Sequence, residues 1–158
     1  MIRALFAAAV VLSGCAPESK CGPSSGTVNY VVDGDTVELE DGTKLRLLLA
    51  DTPETTQGKN DCYGQEAKDF TIEQLSGKKV SLTYDEAGCQ DRFGRTLAYV
   101  KVGNVDVNAE LVKRGYACFL YLPPSGGSRQ EEFETYEAEA RTNRTGMWGA
   151  CSSIPCSQ

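Results

Sequence analysis

The segment from Val28 to Leu49, VNYVVDGDTVELEDGTKLRLLL, contains three short apolar runs separated by turn residues. In the first two runs, apolar and polar residues alternate, as expected for strands with one buried face. Asp33-Gly34-Asp35 separates the first run from the second, and the pair Asp41-Gly42 predicts a tight hairpin before the third. The segment therefore predicts three consecutive strands, at 28–32, 36–40 and 44–49.

The remaining chain predicts two further strands and three helices. The strands are expected at 79–84 and 96–102, and the helices at 65–76, at 108–114 and from a capping box at Ser128 and Glu131 to Arg141. One helix precedes the last two strands and two helices follow them. This order indicates an α+β domain, in which a small closed β-barrel would leave no exposed strand edge.

The N-terminus has the pattern of an export signal. Residues 1–14 combine a positive charge at Arg3 with an apolar run that is too short to cross a bilayer. The ending Leu12-Ser13-Gly14-Cys15 resembles a bacterial lipobox. It predicts lipidation of Cys15 and a protein anchored in the cell envelope, at the outer membrane or on the periplasmic or extracellular face. The alternative is a conventional signal peptide in which Cys15 is incidental.

Composition divides the chain further and restricts its chemistry. Residues 15–26 are rich in Pro, Ser and Gly and indicate a tether, 27–150 form the domain, and 151–158 form a C-terminal tail. The 158 residues carry a formal net charge of -6 and include no His. Catalytic triads that need His, and metal sites with His ligands, are therefore excluded.

Six cysteines remain after Cys15. Because export leads to an oxidising compartment, their even number favours three structural disulfides, with reactive or metal-binding thiols as the alternative. Six cysteines allow 15 pairings, so spacing alone does not define the bridges. The six residues are Cys21, Cys62, Cys89, Cys118, Cys151 and Cys156.

Acidic residues are concentrated between Asp33 and Glu54, where seven carboxylates accompany two basic side chains. Some of these acids belong to turns or to solvent-facing strand positions, whereas Asp33, Asp35, Asp51 and Glu54 lie at predicted strand ends. Converging carboxylates repel one another unless a cation lies among them, and hard oxygen ligands favour Ca²⁺ or Mg²⁺ over zinc. Solvated acids around an Asp-Gly turn are the alternative.

Two arginines extend this pattern. Arg46 lies in the third strand before Asp51, and Arg95 immediately precedes the fifth strand. A guanidinium at such a position is either a salt-bridge partner or a phosphate clamp. Carboxylates with a divalent ion, together with two guanidinium groups, are what phosphodiester hydrolysis requires where no His is present.

At this point several motifs together resemble one family, the staphylococcal nuclease (thermonuclease) family. They occur in the family's order and spacing between Thr27 and Trp148. The resemblance implies a five-stranded OB-fold β-barrel with three α-helices, and a Ca²⁺-dependent endonuclease that acts on DNA and RNA. The motifs are VDGDT at 32–36, RLLLADTPET at 46–55, YGQEA at 63–67, DRFGRTLAY at 91–99 and VNAELV at 107–112.

The resemblance also implies roles for individual residues. The calcium carboxylates correspond to Asp35 and Asp51, the backbone carbonyl ligand to Thr52, and a supporting carboxylate behind them to Asp33. Arg46 and Arg95 correspond to the phosphate-clamping arginines, and Glu54 to the glutamate that orients the attacking water; proton abstraction by Glu54 is left open. Substrate contacts correspond to Arg92, Phe93 and Tyr121.

Overlay on the family's chain path pairs Cys62 with Cys89 and Cys118 with Cys151, which leaves Cys21 with Cys156.

The loop 55–61 is shorter than in the staphylococcal enzyme. The acidic chain should attract nucleic acid weakly at long range, which favours local, metal-led binding. The protein is expected to be a monomer. A non-catalytic OB module that binds nucleic acid or protein is the second hypothesis, and the retention of all five catalytic and metal-binding side chains favours the enzyme.

Overall fold

Five strands close into a mixed β-barrel in the computed structural model, which describes residues 19–156. The predictions for residues 1–14, for Cys15 and for the last two residues lie outside these described residues. The strands are β1 (Ser25–Asp33), β2 (Thr36–Leu39), β3 (Lys44–Leu47), β4 (Leu49–Asp51), β5 (Lys79–Thr83), β6 (Thr96–Val102), β7 (Val105–Asp106) and β8 (Cys118–Leu120). The helices are α1 (Gly64–Leu75), α2 (Val107–Lys113), α3 (Gln130–Thr142) and the short α4 (Met147–Ala150).

The barrel is formed by β3, β2, β1, β5 and β6 in that order, and a parallel pairing of β3 with β6 closes it. The other barrel pairings are antiparallel. The predicted α+β class and the five-stranded OB-fold barrel with three helices are confirmed. In the closing pair Leu45 lies opposite Thr96, so the start of β3 lies beside the loop that ends at Arg95.

Apolar residues from every barrel strand fill the interior. Val28, Val37, Leu45 and Val100 have no exposed surface, as expected from the alternation in the sequence. Helix α2 packs against this core through Val107, Leu111 and Val112 and bonds to it through the fully buried Asn108.

Asn108 connects α2 to β6 and to the chain just beyond β3. Its Nδ2 donates to the carbonyl oxygens of Leu48, at 2.9 Å, and Ala98, at 3.0 Å, and its Oδ1 accepts from the amide of Val100 at 2.9 Å. Beyond Leu48 the chain turns sharply, with Leu49 at a φ of 62°. This turn takes the chain out of β3 into β4, which pairs with β8 and ends at Asp51.

Several element boundaries differ from the predicted ones. Ser25 and Gly26, in the predicted tether, belong to β1 and pair with Ser81 and Val80. The predicted capping box at Ser128 is wrong, because Ser128 lies in a 3-10 turn at 127–129 and no side chain caps α3. The short strands β4, β7 and β8 were not predicted. Within residues 19–156, no helix is both long and apolar enough to span a membrane.

The six cysteines form three disulfides, as predicted, but every predicted pairing is wrong. The Cα atoms of the bonded residues are 4.9 Å apart in the first bridge, 6.0 Å in the second and 6.1 Å in the third. The bridges are Cys21–Cys89, Cys62–Cys151 and Cys118–Cys156.

The paths of the two chain ends explain the observed pairing. The N-terminal segment follows the β5–β6 loop, where Ser19 Oγ donates to Glu86 at 2.8 Å, and this brings Cys21 to Cys89. At the other end, the Met147 amide donates to the Gly115 carbonyl at 2.9 Å. The neighbouring Tyr116 ring stacks on Tyr63, so Cys62 meets Cys151 and the tail reaches Cys118.

Candidate active site

A buried arginine lies between two buried carboxylates at the centre of the candidate site. Arg46 is 5% exposed, and its Nη2 is 3.2 Å from Asp35 Oδ2 and 2.9 Å from Asp51 Oδ1. Its Nη1 donates to the carbonyl of Leu47 at 2.9 Å and also to that of Ala50. The guanidinium is therefore held in one orientation, with two carboxylates directed at the same nitrogen.

Asp35 is positioned by a close contact between the β1–β2 turn and the end of β4. A Cβ atom at Gly34 would lie 2.7 Å from the Thr52 side chain, so the turn requires glycine. This approach lets Asp35 Oδ2 accept from the Thr52 amide at 2.8 Å and from Thr52 Oγ1 at 3.1 Å. Asp35, Asp51 and Thr52, the three predicted metal ligands, thus lie together.

Asp33 lies in the wall of the site, 7% exposed, and its Oδ1 accepts from the Asp35 amide at 3.3 Å. Burial raises the pKa of Asp33 well above its usual range, and the neighbouring Asp35 carboxylate raises it further. The structure therefore places Asp33 beside the predicted metal ligands, as a supporting group.

An open cleft of about 360 Å³ is bordered by Asp33 and Thr36, which both bond to Asp35 of the buried group. Glu54 lines it and is partly buried, and its Oε2 accepts from Thr56 Oγ1 at 2.9 Å. The loop that follows is closed by Asp61, which accepts from the Glu54 amide at 3.2 Å and donates its own amide to the Glu54 carbonyl at 3.0 Å. These bonds hold the Glu54 carboxylate at the edge of the cleft.

Arg95 lines the same cleft, with its side chain 26% exposed. Its Nε donates to Asp91 Oδ2 at 2.7 Å and its Nη1 to Thr36 Oγ1 at 3.2 Å. Burial alone would raise the pKa of Asp91, but the bonds from Arg95 and from the Phe93 amide outweigh it and lower that pKa. Asp91 therefore remains anionic and orients Arg95.

Thr36 joins the two halves of the site. Its hydroxyl accepts from Arg95 and donates to Asp35 Oδ1 at 2.9 Å, and on the sheet its Cα lies opposite that of Arg46. Sequence reasoning missed the roles of Thr36 and Asp91. The position of Thr36 directly after Asp35, and the four-residue spacing of Asp91 and Arg95, were the available signals.

Phe93 is the most exposed large apolar side chain near the cleft, at 68%. The guanidinium carbon of Arg92 lies 4.8 Å from its ring centroid and that of Arg95 5.4 Å. The loop thus presents an aromatic ring close to two cations, which suits a stacked base beside a phosphate.

Tyr121 is not brought to this cleft. It lines a separate cavity of about 470 Å³ together with Trp148 and Arg141. Of the other predicted site residues, Asp33, Glu54, Phe93 and Arg95 line the cleft, and Arg92 contacts the Phe93 ring. The buried group next to the cleft contains Asp35, Arg46, Asp51 and Thr52. In the described part of the chain, no three Cys, Asp or Glu side chains converge as a metal cluster.

Comparison with known proteins shows which family this chain is similar to. Residues 44–150 match the family model described as "Staphylococcal nuclease homologue". The thermonuclease of Staphylococcus hyicus is 39% identical over 123 residues, which cover 75% of this chain and 72% of that protein.

Two Bacillus proteins are also similar. An uncharacterized protein of Bacillus anthracis is 37% identical over 128 residues, 78% of this chain and 60% of that protein. Endonuclease YncB of Bacillus subtilis (strain 168) is 34% identical over 128 residues, 77% of this chain and 60% of that protein. In both cases the match covers less than two thirds of the relative.

Proposed function

The chain belongs to the staphylococcal nuclease family, whose domain is a phosphodiester-hydrolysing nuclease, and from this premise we propose that it is a Ca²⁺-dependent endonuclease acting on DNA and RNA. One observation carries the proposal. Glu54 and Arg95 line one cleft, and Thr36 of the same cleft bonds to Asp35 of the buried group that also contains Arg46 and Asp51.

The donor set fits a calcium ion. Asp35 and Asp51 flank the same Arg46 nitrogen, so the two carboxylates are close neighbours and can both reach one ion beside the guanidinium. The bonds from Thr52 to Asp35 bring a backbone segment beside them. These are hard oxygen donors, which Ca²⁺ prefers. When bound, the ion would supply positive charge beside the phosphate under attack.

The protein's own groups would align the reactants. Glu54 accepts a hydrogen bond from Thr56 and lines the cleft, so its carboxylate can accept a second bond from a water molecule and orient it for attack. Arg95 uses two of its five N–H donors on Asp91 and Thr36 among the described residues. Three remain for a phosphate, where their charge would stabilise the anionic transition state.

A non-catalytic binding module is the competing reading. A module of that kind would be expected to have lost part of the catalytic set. Here Glu54, Arg46 and Arg95 are all present with the two metal-binding carboxylates, and Arg95 is oriented by Asp91 rather than packed away in the core. This favours the enzyme.

The proposed location is the cell envelope, with the protein anchored through lipidated Cys15. The lipobox-like segment at the end of the short apolar run supports this part of the proposal. The domain begins close to the anchor, because Cys21 is bonded to Cys89 of the β5–β6 loop. Nuclease activity would then be exerted outside the cytoplasm.

The experiment that tests the function measures cleavage of plasmid DNA and of RNA by the purified protein, with Ca²⁺ and then with a chelator. Glu54→Gln keeps the size of the side chain and removes its charge. We expect turnover to fall by at least about 10²-fold with an unchanged melting temperature. Glu139→Gln, at an exposed position of α3, is the matched control and should cleave at the wild-type rate.

Two results would overturn the proposal. Wild-type protein that cleaves neither nucleic acid with Ca²⁺ is not the enzyme described. A folded Glu54→Gln protein that cleaves at the wild-type rate would show that Glu54 does not align the water.

A further inference from the structure

Lys44 is a cation at the cleft that has no role in the hydrolysis proposed for Glu54 and Arg95. It is the first residue of β3, it is solvent-exposed, and it lines the cleft together with Glu54, Phe93 and Arg95. Resting on the proposed nuclease function, we propose that Lys44 binds the phosphate next to the scissile one and so helps the enzyme select polynucleotides over single phosphodiesters.

The strand register supports this position. Lys44 and Arg46 are two residues apart on one strand, so their side chains leave the same face of the sheet. Their separation along the strand is about 6.6 Å at two residues of rise, which is close to the step between successive phosphates of an extended nucleic acid strand. Arg46 belongs to the buried group beside the cleft, whereas Lys44 and Arg95 line the cleft itself. A strand whose scissile phosphate lies at Arg95 would therefore bring its neighbouring phosphate near Lys44.

The parallel pairing of β3 with β6 adds a second constraint. Leu45 lies opposite Thr96, so Lys44 is level with Arg95, which immediately precedes Thr96. Both side chains line the same cleft. Two cations, one from β3 and one from the loop before β6, thus border one opening, as expected for a path that follows a phosphate backbone.

The alternative role for Lys44 is a surface ion pair. Its Cα lies opposite that of Glu38 in the β2–β3 pairing, where a cross-strand salt bridge would be ordinary. Among residues 19–156, however, no carboxylate lies within 4.0 Å of Lys44 Nζ. The ammonium is therefore available to a phosphate, and in a chain of net charge -6 a local cation matters more than the overall field.

Lys44→Ala is the test variant, and Lys79→Ala is its matched control. Lys79 is an exposed strand lysine that lies opposite Thr27, near the far end of β1 from the cleft. Cleavage is measured on two probes, a thymidine pentanucleotide and a dinucleoside with a single phosphodiester, at several salt concentrations. Melting temperatures establish that both variants are folded.

With the pentanucleotide, Lys44→Ala should raise KM about three- to tenfold with kcat nearly unchanged. It should also reduce the slope of log KM against log salt by about 0.7, the value for one lost contact to single-stranded nucleic acid. With the dinucleoside, which has no neighbouring phosphate, Lys44→Ala should match Lys79→Ala and the wild type.

The outcomes separate this inference from the proposed function. If wild-type protein cleaves neither probe, the nuclease proposal itself fails. If the wild type cleaves but Lys44→Ala matches Lys79→Ala on the pentanucleotide, Lys44 does not bind the neighbouring phosphate. An equal loss on both probes would place Lys44 at the scissile phosphate or in the fold, and would also refute the inference.

Discussion

Replacing Arg46 by methionine in the absence of Ca²⁺ tests whether the buried acids require a cation between them. The side chain is 5% exposed and donates to two carboxylates and two backbone carbonyls. Methionine fills a similar volume but donates to none of them. Asp35 and Asp51 would lose their shared positive partner while remaining buried.

The expected cost follows from this burial. Removing one partner of a buried ion pair destabilises a protein by about 3 to 5 kcal/mol, and here Asp35 loses its arginine while it stays buried. For a domain of this size, that corresponds to a fall in melting temperature of roughly 10 to 15 °C. Arg114→Met is the matched control. Its ion pair with Glu110 is on the surface, with the arginine side chain 60% exposed, and should be worth about 1 kcal/mol or less.

Thermal unfolding is measured for both variants in chelator and then with Ca²⁺. If Asp35 and Asp51 form the cation site, Ca²⁺ should stabilise Arg46→Met more than the wild type, because the ion supplies the missing charge. Arg46→Lys restores a charge without the planar guanidinium, so its melting temperature should lie between those of Arg46→Met and the wild type. The reasoning is refuted if Arg46→Met has the same melting temperature as Arg114→Met in chelator. It is also refuted if Ca²⁺ leaves the melting temperature of Arg46→Met unchanged.

Three further predictions concern other parts of the molecule. Hydrogen bonds from Arg129 lower the pKa of Glu132 from 4.5 to about 2, so this carboxylate stabilises the fold above pH 4.5 and loses that effect as the pH falls through about 2. With the carboxylate partly exposed, Glu132→Gln should cost about 1 kcal/mol at pH 6 and less at pH 3 in denaturant unfolding; an equal cost at both pH values would contradict this. Peptide mapping without reduction should recover the bridges Cys21–Cys89, Cys62–Cys151 and Cys118–Cys156, each stabilising by about 2 to 5 kcal/mol, and any other pairing would show that the chain ends follow different paths. Cys15→Ser should move the exported protein from the membrane fraction to the soluble fraction, and wild-type protein that is already soluble would rule out the anchor.

Much of the fold was readable from the sequence because its signals are local. Alternating apolar residues and the Asp41-Gly42 turn define the first three strands, and both are confirmed by the β2–β3 hairpin. The absence of His excluded several classes of enzyme outright. The spacing of the acids and arginines, together with the family resemblance, predicted a nuclease. The match of residues 44–150 to the staphylococcal nuclease model confirms the family.

Only the tertiary structure decided how distant segments meet. The disulfide pairing depends on where both chain ends run, and six cysteines do not encode that path in their spacing. The link from Arg95 through Thr36 to Asp35, and the position of Lys44 beside Arg95, depend on the register of β2, β3 and β6. A strand's pattern reports which face is buried but not which strand lies beside it, because pairing is set by packing of the whole barrel.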